Sequence, residues 1–210
     1  CVSRTVRDTA VLLDAVRGPG IGDTVIAPSP ERPYAEEVGV DPGRLRIGLL
    51  DVHPRGESLH PESVNGVRAA AAMLEELGHH VEPAWPQVLA DGTLTSKFMA
   101  LWATQMAMAK AGFEATLGRE LTEDELEPVN WVQAEHAKRL SATDYAAALA
   151  ASYAFRRQVQ QWWHDGWDLL LTPTVAEPPP TLAEFAPVPG DPLAQMRRAG
   201  QWVPFTPPFN

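Results

Sequence analysis

The sequence predicts an α/β fold, with a mixed β-sheet flanked by helices, on three observations. Strand, amphipathic helix and strand follow one another between residues 44 and 84, which predicts a parallel, right-handed βαβ unit. The apolar run Leu169–Leu171 is closed by Pro173, which lacks the N–H that a ladder needs, and this predicts a buried central strand. Residues 93–163 show an almost entirely helical pattern, which predicts a helical region inserted before that strand.

The chain opens with a short amphipathic helix. Thr5 is placed to cap it, Asp8 is the third residue near the positive end of the helix dipole, and Gly18 stops it. Apolar residues recur on one side of this helix, so we expect it to bury one face. Residues 20–43 are rich in proline and show little periodicity, which predicts a long surface connection.

Residues 44–84 carry the βαβ unit. The segment RLRIGLLD, residues 44–51, is apolar and follows a Pro-Gly pair, which predicts a strand. The next segment, residues 61–77, has Pro61 in its first turn, where proline is favoured, and ends before Gly78. Its apolar positions recur at helical spacing: Val64, Val67, Ala71, Leu74 and Leu77. Residues 79–84 supply the second strand.

Three helices are expected in residues 93–163. Residues 94–117 are rich in alanine and methionine and apolar nearly all round, which predicts a buried helix. Residues 122–140 predict a second helix, interrupted by Pro128. Ser141 and Asp144 form the capping signature of a third helix, which runs to about Trp163. That helix leads into the Leu169–Leu171 strand, whose carboxyl end opens into a proline-rich loop, where α/β sheets place their sites.

Composition excludes several classes of function. The net charge of −10 offers no basic patch for phosphates, so we expect no nucleic-acid partner. No apolar run approaches the ~18 residues of a membrane span and no signal peptide is recognisable, so we expect no membrane partner and a cytoplasmic location. The single cysteine, Cys1, excludes an internal disulfide and a multi-cysteine zinc site.

The histidines give no sign of an independent active site. No HExxH pair and no GxSxG elbow occur in the sequence. His79 and His80 are adjacent on a predicted strand, so they point to opposite faces and cannot share one metal ion. A polar loop brings together residues that could in principle chelate, but we expect them to be solvated: Asp51, His53, Glu57 and His60. We therefore predict no metal site.

Several blocks of the sequence resemble consecutive blocks of the amidase signature family. They are SRTVRDTAVLLDAV, DPGRLRIGLLD, HPESVNGVRAAAAMLEELGHHVE, WDLLLTPTVAEPPP and the closing PFTPPFN, and they occur in the family's order over most of the chain. The blocks AEEVGVDPGRLRIG and LSATDYAAAL look most like the bacterial branch that includes the 6-aminohexanoate cyclic-dimer hydrolases. The ordered set carries the resemblance, because each block alone is weakly specific.

The resemblance implies amide hydrolysis by a Ser-Ser-Lys triad, with no metal and no organic cofactor. A serine attacks the carbonyl, and a second serine and a neutral lysine handle its proton. This sequence has no GGSSGGS-like run, and Lys97, Lys110 and Lys138 lie in no matching motif, so we assign no catalytic residue. In the family that loop precedes the SRTVRD block. We therefore expect residues 1–210 to be the C-terminal portion of a single amidase domain, without its N-terminal catalytic half and inactive alone.

The resemblance also implies that residues 93–163 shape the mouth of a substrate pocket. Trp131, next to Asn130 and just past Pro128, is the first candidate for a substrate-binding aromatic residue, and Trp102 is the second. A tryptophan on an apolar helix more often serves ordinary packing, and this alternative stays open for both. Phe205 and Thr206 precede a predicted terminal strand and are expected near the site.

The function predicted is hydrolysis of linear or cyclic carboxamides, with a small-molecule amide as the partner. Two alternatives stay open: an amidase-like subunit of a tRNA-dependent amidotransferase, and a non-catalytic small-ligand-binding module. The branch-like blocks favour a stand-alone amidase. Apolar helices and seven tryptophans are compatible with a homodimer, which composition alone does not decide. Apolar surface at both ends of the chain predicts that the isolated 210 residues aggregate or are marginally stable.

Overall fold

The computed structural model describes residues 2–209, so Cys1, the single cysteine, lies outside the described residues. The chain divides into two compact units at Gly43 and Arg44. No helix within residues 2–209 is long and apolar enough to cross a membrane.

The first unit contains the predicted N-terminal helix, α1, Val6–Val16. Its cap is confirmed, because Thr5 Oγ1 accepts a hydrogen bond of 3.1 Å from the Asp8 N–H. The expected burial of one face is wrong: Ala10 is the only buried residue of α1. Val6 and Val16 are 76% and 74% exposed, because the rest of this unit is mostly loop with little apolar surface to cover the stripe.

The predicted surface connection contains a second, four-residue helix, α2, Tyr34–Glu37. The Asp14 carboxylate, on α1, accepts hydrogen bonds of 2.9 Å from the Tyr34 and Ala35 N–H groups, which the first turn of a helix leaves unpaired. These bonds, with the Arg17 ion pair at 3.0 Å, lower the pKa of Asp14. The sequence does not reveal α2, because the group that caps it lies 20 residues earlier.

The second unit is built on a three-stranded parallel sheet. The strands are β1, Arg46–Leu49, β2, His80–Pro83, and β3, Leu169–Leu171, in the order β2-β1-β3. Helix α3, Pro61–Glu76, joins β1 to β2 and confirms the βαβ unit. The α/β class is confirmed. All three described strands are parallel where the sequence predicted a mixed sheet, because both connections cross over and bring the chain back in the same direction.

The central strand is β1, and the prediction of a buried central strand at Leu169–Leu171 is wrong in this respect. Within residues 2–209, β3 pairs with β1 alone, and Leu169 is 48% exposed. The two most deeply buried large side chains are Ile47 in β1 and Leu50 just after it, each 1% exposed. An apolar run indicates that the faces of a strand are covered, but it does not determine how many neighbours the strand pairs with.

The three helices expected in residues 93–163 are present. They are α4, Thr93–Leu117, α5, Pro128–Ala137, and α6, Ala142–His164. Pro128 begins α5 rather than interrupting it, as suits a residue without an N–H. The α6 cap is confirmed: Ser141 Oγ accepts from the Asp144 N–H at 3.1 Å, and Asp144 accepts from the Ser141 N–H at 2.8 Å.

The expectation that α4 is buried is wrong. Ala103 is its only buried residue, and Met108 and Phe113 are 70% and 60% exposed. Helix α4 packs against α5 and α6. These two neighbours cover part of its circumference and leave the remaining apolar side chains open.

The last part of the chain differs most from expectation. A helix that the sequence did not predict, α7, Ala194–Trp202, lies within the proline-rich stretch. The terminal strand predicted after Phe205 and Thr206 is wrong, since Pro207–Phe209 form a 3₁₀ turn. Pro207 and Pro208 have no N–H to donate to a sheet, which accounts for the difference.

Tryptophans of α6 and of the segment after it pack closely against β1. The Trp162 ring lies against Gly48 and stacks on Trp167 with centroids 4.9 Å apart and planes 5° from parallel. The Arg46 guanidinium lies 3.8 Å from the Trp167 centroid, a cation–π contact. A cluster of buried apolar side chains joins the end of β1 to α6 and the C-terminal segment: Leu50, Leu89, Val159 and Phe205.

Candidate functional site

The segments that follow the three strands lie at one end of the sheet, because the strands are parallel. We call this end the carboxyl edge; it comprises residues 50–53 after β1, residues 84–86 after β2 and residues 172–177 after β3. The ladder continues into it, with Leu50 N–H donating to Leu171 O at 2.9 Å and Ala84 N–H donating to Leu49 O at 3.2 Å. In open α/β folds ligands bind beyond the carboxyl ends of the strands, so this edge is the candidate site.

His53 is the most deeply buried polar side chain at the carboxyl edge. It is 4% exposed and its ring lies 6.5 Å, centroid to centroid, from that of Phe205. Its Nδ1 accepts a 3.1 Å hydrogen bond from the Arg55 N–H, so a neutral ring carries its proton on Nε2. Burial lowers the pKa of His53. The expectation of a solvated His53 is therefore wrong: the residue is buried beside Phe205, a member of the apolar cluster.

Two other residues of the loop between β1 and α3, His60 and Asp51, have structural roles. His60 Nδ1 accepts a 3.2 Å hydrogen bond from the Glu62 N–H and so caps α3. Asp51 is held by Arg68, whose Nε lies 2.7 Å from a carboxylate oxygen. Within residues 2–209 no group of three or more His, Cys, Asp or Glu side chains could hold a metal ion.

The segment after β3, residues 172–177, is tied to α7, and we call it the β3 loop. Ala176 N–H donates to Trp202 O at 2.8 Å, and Trp202 Nε1 donates to Glu177 O at 3.1 Å. Arg198 on α7 forms a 2.5 Å ion pair with Glu177. Sequence reasoning missed these residues, although the proline-free interval from 193 to 203 was a signal that a helix could form there.

The candidate aromatic residues Trp131 and Trp102 lie on neighbouring helices but not at one point. Trp131, on α5, is half-buried, and the Lys110 ammonium on α4 lies 5.1 Å from its ring centroid. Trp102, also half-buried, packs against Phe98 with ring centroids 6.3 Å apart. Trp102 and Lys110 are separated by about 12 Å along α4, at 1.5 Å rise per residue, so the two indoles contact different parts of that helix.

Two open cavities lie in the helical region. The larger, of about 890 Å³, has a rim of four carboxylates together with Asn130, and is lined by Glu123, Asp124, Glu125, Leu126, Glu127, Pro128 and Asn130. The smaller, of about 310 Å³, is apolar and is lined by Phe113, Thr116, Leu117, Leu121, Glu125 and Leu126. Trp131 lines neither of them, although its neighbour Asn130 lines the larger.

Two of the three lysines, Lys110 and Lys138, are held in ion pairs with carboxylates of α4 and α5. Lys110 forms a 2.5 Å ion pair with Glu114, and this bond lowers the pKa of the Glu114 carboxyl. Lys138 forms a 2.6 Å ion pair with Glu135. Phe205, expected near the site, is 3% exposed and belongs to the apolar cluster, while Thr206 is exposed.

Two solved protein structures have an architecture similar to that of this chain. The solved structure of a 6-aminohexanoate cyclic dimer hydrolase superposes with a TM-score of 0.86 at 36% identity, covering 90% of this chain and 39% of that one. A bacterial aryl acylamidase of the amidase signature family matches with a TM-score of 0.71 at 18% identity, over 83% of this chain and 36% of that one, which shows a common fold.

The curated proteins with similar sequences are of the same kind. A 6-aminohexanoate-cyclic-dimer hydrolase from Paenarthrobacter ureafaciens is 36% identical over 214 residues, and a putative amidase from Synechocystis sp. is 30% identical over 209 residues. The alignments cover 99% and 100% of this chain but 43% and 38% of the relatives, so the chain spans about two fifths of their length. The family model described as Amidase matches residues 1–210. With its parallel sheet, its inserted helices and this match over its whole length, the chain belongs to the amidase family.

Proposed function

We propose that this chain is the C-terminal portion of an amidase that hydrolyses carboxylic acid amides, linear or cyclic. The observation that carries the proposal is the alignment of 99% of the chain, at 36% identity, with 43% of a 6-aminohexanoate-cyclic-dimer hydrolase. The remaining part of such a protein lies outside residues 1–210. In this proposal it contains the Ser-Ser-Lys triad, for which the described residues offer no candidate.

The chain itself contributes part of the substrate pocket. An amide carbonyl under attack needs a nucleophile and oxyanion donors from the upstream part, and it also needs walls that hold the substrate in place. The carboxyl edge, which includes the β3 loop, is suited to this role because its backbone is held at several points. Trp131 and Trp102 are proposed as apolar walls of the pocket mouth, where methylene segments of an amide would pack.

The experiment compares two polypeptides: residues 1–210, and the same residues with the sequence that precedes them in the gene. The longer polypeptide is expected to hydrolyse a 6-aminohexanoate cyclic dimer or a simple linear amide, and a serine-directed acylating reagent should abolish the activity. Residues 1–210 alone should be inactive on both. Turnover by residues 1–210 alone, or no turnover of any amide by the longer polypeptide, contradicts the proposal.

The wall residues are tested in the longer polypeptide. Trp131→Leu is expected to raise KM by about threefold to tenfold with little change in kcat, because it removes contact that ground state and transition state share. Trp102→Leu is the matched comparison, on the neighbouring helix. If both variants keep the wild-type KM, the two indoles serve packing alone.

A further inference from the structure

The β3 loop is fixed at two consecutive residues. The carbonyl of Ala176 accepts a 2.8 Å hydrogen bond from the His60 N–H, at the start of α3, while its own N–H donates to Trp202 O at the end of α7. The next carbonyl, that of Glu177, accepts from Trp202 Nε1 at 3.1 Å. The backbone after β3 is thereby held between two helices.

One side chain adds a charged link to this backbone. The Arg198 guanidinium pairs with Glu177 at 2.5 Å and with Glu184 at 2.9 Å, and it lies 5.9 Å from the Phe185 ring centroid. The Arg198 side chain is 21% exposed, so its ion pairs are partly shielded from water. A planar guanidinium can hold two carboxylates in fixed directions, which an ammonium cannot.

The two ion pairs of Arg198 connect different parts of the molecule. Glu177 belongs to the β3 loop at the carboxyl edge. Glu184 belongs to the 3₁₀ turn Leu182–Phe185, which it also caps by accepting the Thr181 N–H at 2.8 Å. Only the Glu177 pair therefore bears directly on the position of the β3 loop.

We propose that Arg198 is a positioning residue for substrate recognition: through Glu177 it fixes the β3 loop, which forms a wall of the amide-binding pocket at the carboxyl edge. This inference rests on the proposed function. Within the loop Pro173 is buried and Thr174 is exposed, so Thr174 is the side chain that the fixed backbone presents outward. A wall held in place before binding avoids the entropic cost of being ordered by each ligand, so its fixed position favours the ligands whose shape fits it.

The test uses four variants of the longer polypeptide. Arg198→Met removes both ion pairs with little change in side-chain length. Glu177→Gln removes the charge on the loop side, and Glu184→Gln removes the charge on the other side. Arg197→Met is the matched control on the same helix, because Arg197 is 56% exposed and pairs with Asp191, outside the β3 loop.

The measured quantity is the ratio of kcat/KM for the 6-aminohexanoate cyclic dimer to kcat/KM for a linear amide. A loss of folded enzyme lowers both values equally, so a merely structural role leaves this ratio unchanged. Arg198→Met and Glu177→Gln are each expected to change the ratio by about fivefold or more, whereas Glu184→Gln and Arg197→Met stay within about twofold of the wild type.

Three results overturn the inference. The first is an unchanged ratio of the two kcat/KM values in Glu177→Gln. This result overturns the inference even if Arg198→Met fails to fold. The second is an equal change in Glu184→Gln or Arg197→Met, which shows that the effect does not follow the link to the β3 loop. In both cases the wild-type polypeptide is active and the proposed function stands. The third is a wild-type polypeptide that hydrolyses no amide, which overturns the proposed function and this inference together.

Discussion

At the end of β1 a histidine is held neutral by its surroundings. His53 is 4% exposed, and Phe205 lies beside it in the apolar cluster. Desolvation is the largest cause that lowers the pKa of His53 from its ordinary 6.5; Glu57 opposes the shift and Arg55 adds to it. The folded protein therefore takes up this proton at a lower pH than the unfolded chain does, and the difference in proton uptake makes folding depend on pH.

The free energy of unfolding should fall as the pH decreases below about 6.5, because there the unfolded chain binds more protons than the folded one. Urea unfolding of the longer polypeptide and of its His53→Gln variant at a series of pH values measures this free energy, and the variant should show the smaller slope against pH. Carboxylates in ion pairs affect the free energy of unfolding only at lower pH: hydrogen bonding to Arg119 lowers the pKa of Glu125 from 4.5 to about 2. Equal slopes for wild type and His53→Gln down to about pH 5 would contradict the prediction.

At the scale of elements, the predictions that succeeded rest on signals close together in sequence. Thr5 caps α1 and Ser141 caps α6 through residues three positions away. The features that the sequence did not reveal depend on distant contacts: Asp14 caps α2 across 20 residues, and Arg198 binds Glu177 across 21. The carboxyl edge could be placed from the order of the elements, but the side chains that fix it could not.

Glycine substitutions on two elements should have effects of opposite sign. A Cβ at Gly48 in β1 would lie 2.5 Å from Ala84 O and 2.6 Å from Trp162 Cζ2, so Gly48→Ala should destabilise the protein by about 1–3 kcal/mol. A Cβ at Gly66 in α3 meets nothing within 4 Å, so Gly66→Ala should stabilise it by about 0.4–1 kcal/mol. Thermal and urea unfolding of the longer polypeptide measure both changes in stability, and a shift of the same sign in the two variants would contradict the prediction.

At the scale of the whole molecule, residues 2–209 leave many large apolar side chains exposed. Those at least 60% exposed include Val6, Val16, Ile21, Val25, Met73, Leu77, Met108, Phe113 and Leu182. A net charge of −10 opposes association through repulsion, which salt screens. Exposure of so many large apolar side chains is expected where another part of a protein covers them. It therefore supports the proposal that residues upstream of this chain complete the domain.

We accordingly expect residues 1–210 alone to bind a hydrophobic dye strongly and to self-associate, increasingly so as salt is added, because screening removes the repulsion that opposes apolar contact. The same residues joined to their upstream sequence should bind little dye and sediment as a defined species. Val6→Lys with Val16→Lys should lower dye binding by the short polypeptide, whereas Lys97→Arg, which leaves the apolar surface unchanged, should not. A sharp cooperative melt of residues 1–210 as a monomer would show instead that these side chains need no cover.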